Sequence, residues 1–226
     1  MTSQKILEDS KMYTVIIGDI SGSRKLNGTD RYQTQLFLKS AIVQINEEFN
    51  SCLDAPTTLT KGDEFQALIS KPLYAYEIFH ALQRMVFPMG LRFGMGLGSI
   101  YRMGGRLPIE MDGPAFHRAN RALGLAKKHK TNLWFISETE FFDSLVNTVF
   151  QLISSIKSKW NDRHFQLYWD YLELGTYKMV AERKNVTPQA ICDVLKNSRA
   201  IDVIEAEKNI RTVLENYPKL ILTPSN

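Results

Sequence analysis

Cysteine is scarce in this chain: Cys52 and Cys192 are the only two in 226 residues, far apart and without neighbouring metal-ligand spacing. That excludes a disulfide framework and predicts reduced thiols in a cytoplasmic protein. The first residues, Met1-Thr2-Ser3-Gln4-Lys5-Ile6-Leu7, lack an apolar core, so no secretory signal is expected. No run approaches the roughly 18 uninterrupted apolar residues of a membrane span, and no membrane association is predicted. An excess of one charge is missing too: 28 Lys and Arg against 24 Asp and Glu leave +4, which permits an anionic partner without demanding one. Internal repeats and low-complexity tracts are also absent. What is present is 44% apolar residues with ordinary charge, the composition of a globular chain long enough for one large domain or two small ones.

The pattern along the chain divides in two. Met12 to Ile17 is a short, β-branched run of the kind buried on both faces of a sheet. It ends in Gly18-Asp19-Ile20-Ser21-Gly22-Ser23. Asp30 to Cys52 carries Leu36, Phe37, Ile42, Ile45 and Phe49 at helical spacing. Thr57 to Ile69 reads as a hairpin with Lys61-Gly62-Asp63-Glu64 at its tip. Pro72 opens a second helix. Leu91 to Ile100 alternates large residues with glycine, which signals close approach of another backbone or a ligand. A helix follows over about Pro114 to Lys128, then a strand at Leu133-Trp134-Phe135-Ile136. The order β-α-β-β-α-β-α-β predicts an α+β fold, a ferredoxin-like palm with a mainly antiparallel sheet flanked by helices. From about Trp160 the pattern is all-helical. The expected domains are therefore 1–150 and 151–226.

Asp19 and Asp63 fall at neighbouring strand ends, an arrangement suited to Mg²⁺ or Mn²⁺. Such hard cations take oxygen ligands and leave part of their shell to phosphates and water. The backbone N–H groups of Ile20, Ser21, Gly22 and Ser23 offer a phosphate cradle. Either aspartate alone also reads as an ordinary turn residue; their joint placement favours the metal. The run Lys127-Lys128-His129-Lys130 reads as a solvated helix end that complements the helix dipole.

These motifs resemble class III nucleotide cyclases. Gly18-Asp19-Ile20-Ser21-Gly22-Ser23 is similar to the first metal motif, Lys61-Gly62-Asp63-Glu64-Phe65 to the second, and Gly113-Pro114-Ala115-Phe116-His117-Arg118-Ala119-Asn120-Arg121 to the motif written G-x-x-V-N-x-A-x-R. With its helical C-terminal segment, the chain resembles the SatD-like family. The resemblance implies metal binding by Asp19, Asp63 and the Ile20 carbonyl, a phosphate-steadying role for Arg121, and base reading near Glu110. It also implies a site at a homodimer interface. Two positions depart from the cyclase pattern. His117 stands for the asparagine that orients the ribose. Leu59 stands for the purine-selecting lysine, with Lys61 two residues on and on the same strand face. The parts for holding a nucleotide with metal are thus better represented than those for cyclising it.

In the C-terminal segment, Ala181, Asn185, Val186, Ile191 and Val194 fit the spacing of a helix-turn-helix. Thr187, Gln189 and Lys196 would then be the DNA-facing residues. Acidic neighbours offset the basic ones, predicting weak binding by a monomer. Two functions follow. One is a regulator that senses a nucleotide and binds DNA. The other is a metal-dependent enzyme, a nucleotidyl cyclase or NTP hydrolase, whose helices serve dimerisation or docking.

Overall fold

The apolar run read as the first strand is the middle of a sheet. In a computed structural model, which describes residues 7–21, 28–60, 62–102 and 106–221, it belongs to β1 (Leu7–Ile20). There follow α1 (Gly28–Glu48), β2 (Leu53–Leu59), β3 (Phe65–Ile69), α2 (Pro72–Met85), β4 (Leu91–Arg102), β5 (Met111–Asp112), α3 (Pro114–His129) and β6 (Leu133–Ile136). The strand order is β2-β3-β1-β4-β5, with β6 parallel to β4. β1 is antiparallel to both β3 and β4, the split arrangement expected of a palm. The two-residue β5 was not foreseen.

Strand periodicity sends alternate residues to opposite faces. Tyr13, Val15 and Ile17 join Leu68, Ile100, Ala115, Phe116, Ala119 and Leu123 in the core under α3. On the other face Phe93 meets Phe65 and Phe79 edge-on, at ring distances of 5.2 and 5.0 Å, which seats α2 there. The glycines of β4 have a direct cause. A Cβ at Gly94 would lie 2.1 Å from the Ala119 carbonyl oxygen, and one at Gly96 would lie 2.2 Å from the Ala115 oxygen and the Ala119 nitrogen. Their closest neighbour is therefore the α3 backbone, and the alanines of α3 match them. In α1 the spacing and the inward Ile42 and Ile45 were right, but the other inward residues differ. Leu38, Ala41, Ile42 and Ile45 are buried, whereas Leu36 and Phe37 are exposed.

Two asparagines serve the outer strands. Asn46 of α1 accepts from Thr57 N–H at 2.7 Å and donates to its carbonyl at 2.9 Å. Asn147 does the same for Phe135 of β6, at 2.8 and 2.7 Å. Each amide replaces the partner strand that an edge residue lacks.

The remaining helices are α4 (Glu140–Lys157), α5 (Asp162–Leu174), α6 (Tyr177–Lys184), α7 (Pro188–Asn197) and α8 (Ala200–Ile221). The chain divides into one unit of Met1–Phe150 with Leu214–Asn226 and a second of Gln151–Val213. The end of α8 thus belongs with the first unit, where the Tyr217 ring lies 4.6 Å from Phe142 and 5.9 Å from Phe135. The second unit has its own core of Leu167, Val180, Ala181, Ile191, Leu195 and Ala200. It also buries an ionic group. Lys157 donates to Glu207 at 2.7 Å, Tyr168 O–H donates to the other Glu207 oxygen, and the Lys157 ammonium lies 4.4 Å from the Tyr168 ring centre. A pair this dry is held by its mutual hydrogen bonds, and removal of one partner would strand the other charge.

Candidate functional site

β1 delivers Asp19 to the end of the sheet. Two residues beyond Ile17, it points to the α3 face, and its cross-strand partner is Arg92 of β4. The side chain is only 16% exposed. Its Oδ2 meets the Lys127 ammonium at 2.5 Å, while Oδ1 is buried without a hydrogen-bond partner among the described residues. The Lys127–Asp19 contact corrects the expectation of a merely solvated basic run: the last turn of α3 lies over the strand end, so its lysine reaches the carboxylate. The last β1–β3 pair is Gly18 with Phe65, so the Gly62–Glu64 turn leaves β3 at the same sheet end as Asp19. Gly62 has φ +68°, a conformation open to glycine, and Asp63 follows it, half-buried.

Ile20 is buried and ends β1. The Ser21 N–H donates to the Gly90 carbonyl at 2.7 Å, so it is engaged by the fold rather than offered to a phosphate. Gly22, Ser23 and Lys61 lie outside the described residues. Among the described residues, no three or more His, Cys, Asp or Glu side chains are grouped so that they could hold a metal ion by themselves. The orphaned Oδ1 fits a hard cation, which would draw its other oxygens from Asp63, the Ile20 carbonyl, water and ligand phosphates.

A separate groove of about 260 Å³, which neither Asp19 nor Asp63 lines, is bounded by Ile17 and Gln66 of the strands, Glu64 of the hairpin turn, Ile109 and Asp112, and His117 and Asn120 of α3, among others. His117 Nε2 stands 3.3 Å from Asp112 Oδ1, which also accepts the Gly113 N–H at 2.7 Å. Glu110 is exposed, and its Oε2 accepts the Leu107 N–H at 3.0 Å, capping a short 3₁₀ turn. Asp112 and Glu64, rather than Glu110, are the acids that line the groove. Arg121 is exposed on α3. Its neighbour Arg118 is tied down, donating to Leu97 O at 2.7 Å and Glu138 at 3.1 Å. Sequence reasoning missed Arg92, Asp112 and Lys127. For Lys127 a signal existed: it lies seven and eleven residues after Asn120 and Phe116, on one helical stripe.

In the second unit, Asn185 ends α6 in the left-handed conformation, with φ 53°, and α7 begins three residues later, at Pro188. Ala181 and Ile191 are buried as the spacing required, but Val186 is 44% exposed. Thr187 caps α7 by accepting the Ala190 N–H at 3.2 Å. Gln189 donates to Asp193 at 2.8 Å, and Lys196 is exposed. The basic end of α6 is neutralised: Arg183 pairs with Asp170 at 2.9 Å and Glu173 at 2.7 Å, and Lys184 pairs with Asp170 at 2.8 Å.

The profile of the SatD family matches residues 13–213. The chain belongs to the SatD family. No curated protein matches it in sequence. Solved structures similar to this SatD-family chain are class III cyclase catalytic domains. One is a bacterial light-regulated adenylyl cyclase, 14% identical with a TM-score of 0.44 over 60% of this chain and 46% of the other. Thus the chain spans under half the length of that protein. Others are the adenylyl cyclase CyaB from P. aeruginosa (15%, 0.41, 52% and 72%) and the monomeric guanylyl cyclase domain of the RhoGC fusion protein from the aquatic fungus Blastocladiella emersonii (18%, 0.41, 53% and 78%). Among the described residues, no helix is long and apolar enough to cross a membrane.

Proposed function

We propose that this SatD-family protein is a cytoplasmic, homodimeric regulator whose first unit binds a nucleotide together with Mg²⁺ or Mn²⁺ and whose second unit binds DNA. The observation that carries the first half is Asp19: a carboxylate 16% exposed, with one buried oxygen unpartnered among the described residues, at the sheet end from which the Asp63 turn leaves. Asp19, Asp63 and the Ile20 carbonyl would hold the ion, which supplies charge neutralisation for phosphates. Gly22, Ser23 and Lys61 belong to the phosphate side of this reading. His117 and Arg121 on α3, with Glu110 near the groove, belong to the nucleoside side. Because Arg183 and Lys184 are already paired, DNA contact falls to α7, through Gln189 and Lys196 beside the Thr187 cap. Binding by one copy is expected to be weak, with a dimer doubling the contacts.

A second reading, a metal-dependent nucleotidyl cyclase or NTP hydrolase, is favoured by one feature: the His117–Asp112 pair, an acid–base couple lining the groove. One experiment separates the two. The protein is incubated with each NTP and Mg²⁺ or Mn²⁺, and cyclic nucleotide, pyrophosphate and phosphate are assayed beside equilibrium binding. Binding without turnover is expected. Turnover that is lost in Asp19→Asn establishes the enzyme instead. Binding that Asp19→Asn and Asp63→Asn leave intact would remove the metal site.

A further inference from the structure

We infer that Lys127 is the resident cation of the aspartate site and makes metal binding there conditional on a polyphosphate ligand. This regulation rests on the metal–nucleotide reading above. The ammonium sits 2.5 Å from Asp19 Oδ2, on a carboxylate 16% exposed, and Arg92 is the residue directly opposite Asp19 across the strands. Cross-strand partners stand about 5 Å apart at Cβ, so Asp19 carries two basic neighbours. The Lys127 ammonium thus already offsets the Asp19 charge before any ion arrives.

A divalent ion entering alone would meet a carboxylate already satisfied on one oxygen and repulsion from both cations. Repulsion between like charges weakens the binding of an ion that arrives without a ligand. The same ion accompanied by a triphosphate is a different case. The ligand's negative charge offsets the added positive charge, and Lys127 has somewhere to go. Its side chain is 40% exposed on the last turn of α3, and its four-carbon stem lets the ammonium leave Asp19 for a phosphate oxygen. Metal and polyphosphate therefore bind with positive coupling, and by linkage each strengthens the other by the same factor.

The test uses the full chain and Mn²⁺, followed by electron paramagnetic resonance and calorimetry, with and without β,γ-methylene analogues of ATP and GTP. In the wild type, Mn²⁺ alone is expected to bind weakly and to tighten about tenfold or more when an analogue is present. Lys127→Gln is expected to tighten Mn²⁺ alone about tenfold and to shrink the coupling. Lys128→Gln, the same charge change on the exposed neighbour, is expected to do neither. Unchanged or weaker binding of Mn²⁺ alone to Lys127→Gln overturns the inference while leaving the metal site standing. If Asp19→Asn binds Mn²⁺ and analogue like the wild type, or if the wild type binds neither, the underlying site is wrong and the inference falls with it.

Discussion

Gly96 and Gly124 are both glycines near α3, yet their surroundings make opposite demands. At Gly96 an added methyl would sit 2.2 Å from two backbone atoms of α3, and backbone cannot step aside as a flexible side chain can. Gly96→Ala must push the helix off the sheet and is expected to cost about 3 kcal/mol or more. Gly124 is exposed inside α3, with nothing within 4 Å of a built Cβ. There alanine removes only the conformational handicap of glycine, and Gly124→Ala is expected to stabilise by about 1 kcal/mol. Urea unfolding of both variants checks the pair: the midpoints must move in opposite directions. Asp143 makes a third residue-level case. Burial raises its carboxyl above the ordinary value, against the lowering effect of the bonds from Ser137 N–H and O–H at 2.8 and 2.7 Å. Between the ordinary and the raised pKa the folded chain holds a proton that the unfolded chain has released. This group's contribution to stability is therefore greatest at the acidic side of that window and declines as pH rises through it. Asp143→Asn keeps an acceptor for the Ser137 N–H and cannot ionise. Its melting temperature, followed against pH, is expected to lose that declining component.

At the scale of elements, the corner between α7 and α8 stores strain. Arg199 joins them with φ +60°, in the left-handed region that costs an ordinary side chain about 1–2 kcal/mol, and its exposed pair with Asp202 at 3.2 Å offers little in return. Arg199→Gly is expected to raise stability by about 1 kcal/mol, read as a higher urea midpoint; a lower one would mean the guanidinium holds the corner. Asn185, in the same conformation between α6 and α7, is the contrasting case, because asparagine tolerates it. That turn was legible from the sequence, as were the hairpin and the glycine-rich strand, because each is written in local turn chemistry or in a period of two. The inward face of α1 was legible only at Ile42 and Ile45. Leu36, Phe37 and Val43 are as apolar as the residues that are buried, so periodicity alone could not choose among them. The candidate site was legible in part for the same reason. Asp19 and Asp63 announce themselves by neighbouring glycines, whereas Lys127 on Asp19 and Asp112 beside His117 depend on where α3 lies against the sheet.

For the whole molecule, the regulator reading makes a demand that neither unit meets alone. A protein that only holds a nucleotide in one unit and touches DNA with another has two functions; a regulator has a coupling between them. Coupling is a free energy with equal effect in both directions, commonly 1–3 kcal/mol, or about 5- to 150-fold in affinity. With Mn²⁺ and a β,γ-methylene triphosphate saturating, the affinity for genomic DNA fragments at fixed salt is expected to shift by at least about fivefold, and DNA must shift the analogue's affinity by the same factor. The salt series matters equally. Arg183 and Lys184 are spent on Asp170 and Glu173, so each copy should neutralise few phosphates and log affinity should fall only gently with log salt. Asp170→Asn and Glu173→Gln together would free both cations, and the slope is expected to steepen by about one to two phosphates per copy. A steeper slope with unchanged nucleotide coupling would separate the charge that binds DNA from the device that controls it. Affinities that ignore the nucleotide in wild type and variant alike would leave the helices of the second unit as a dimerisation or docking module.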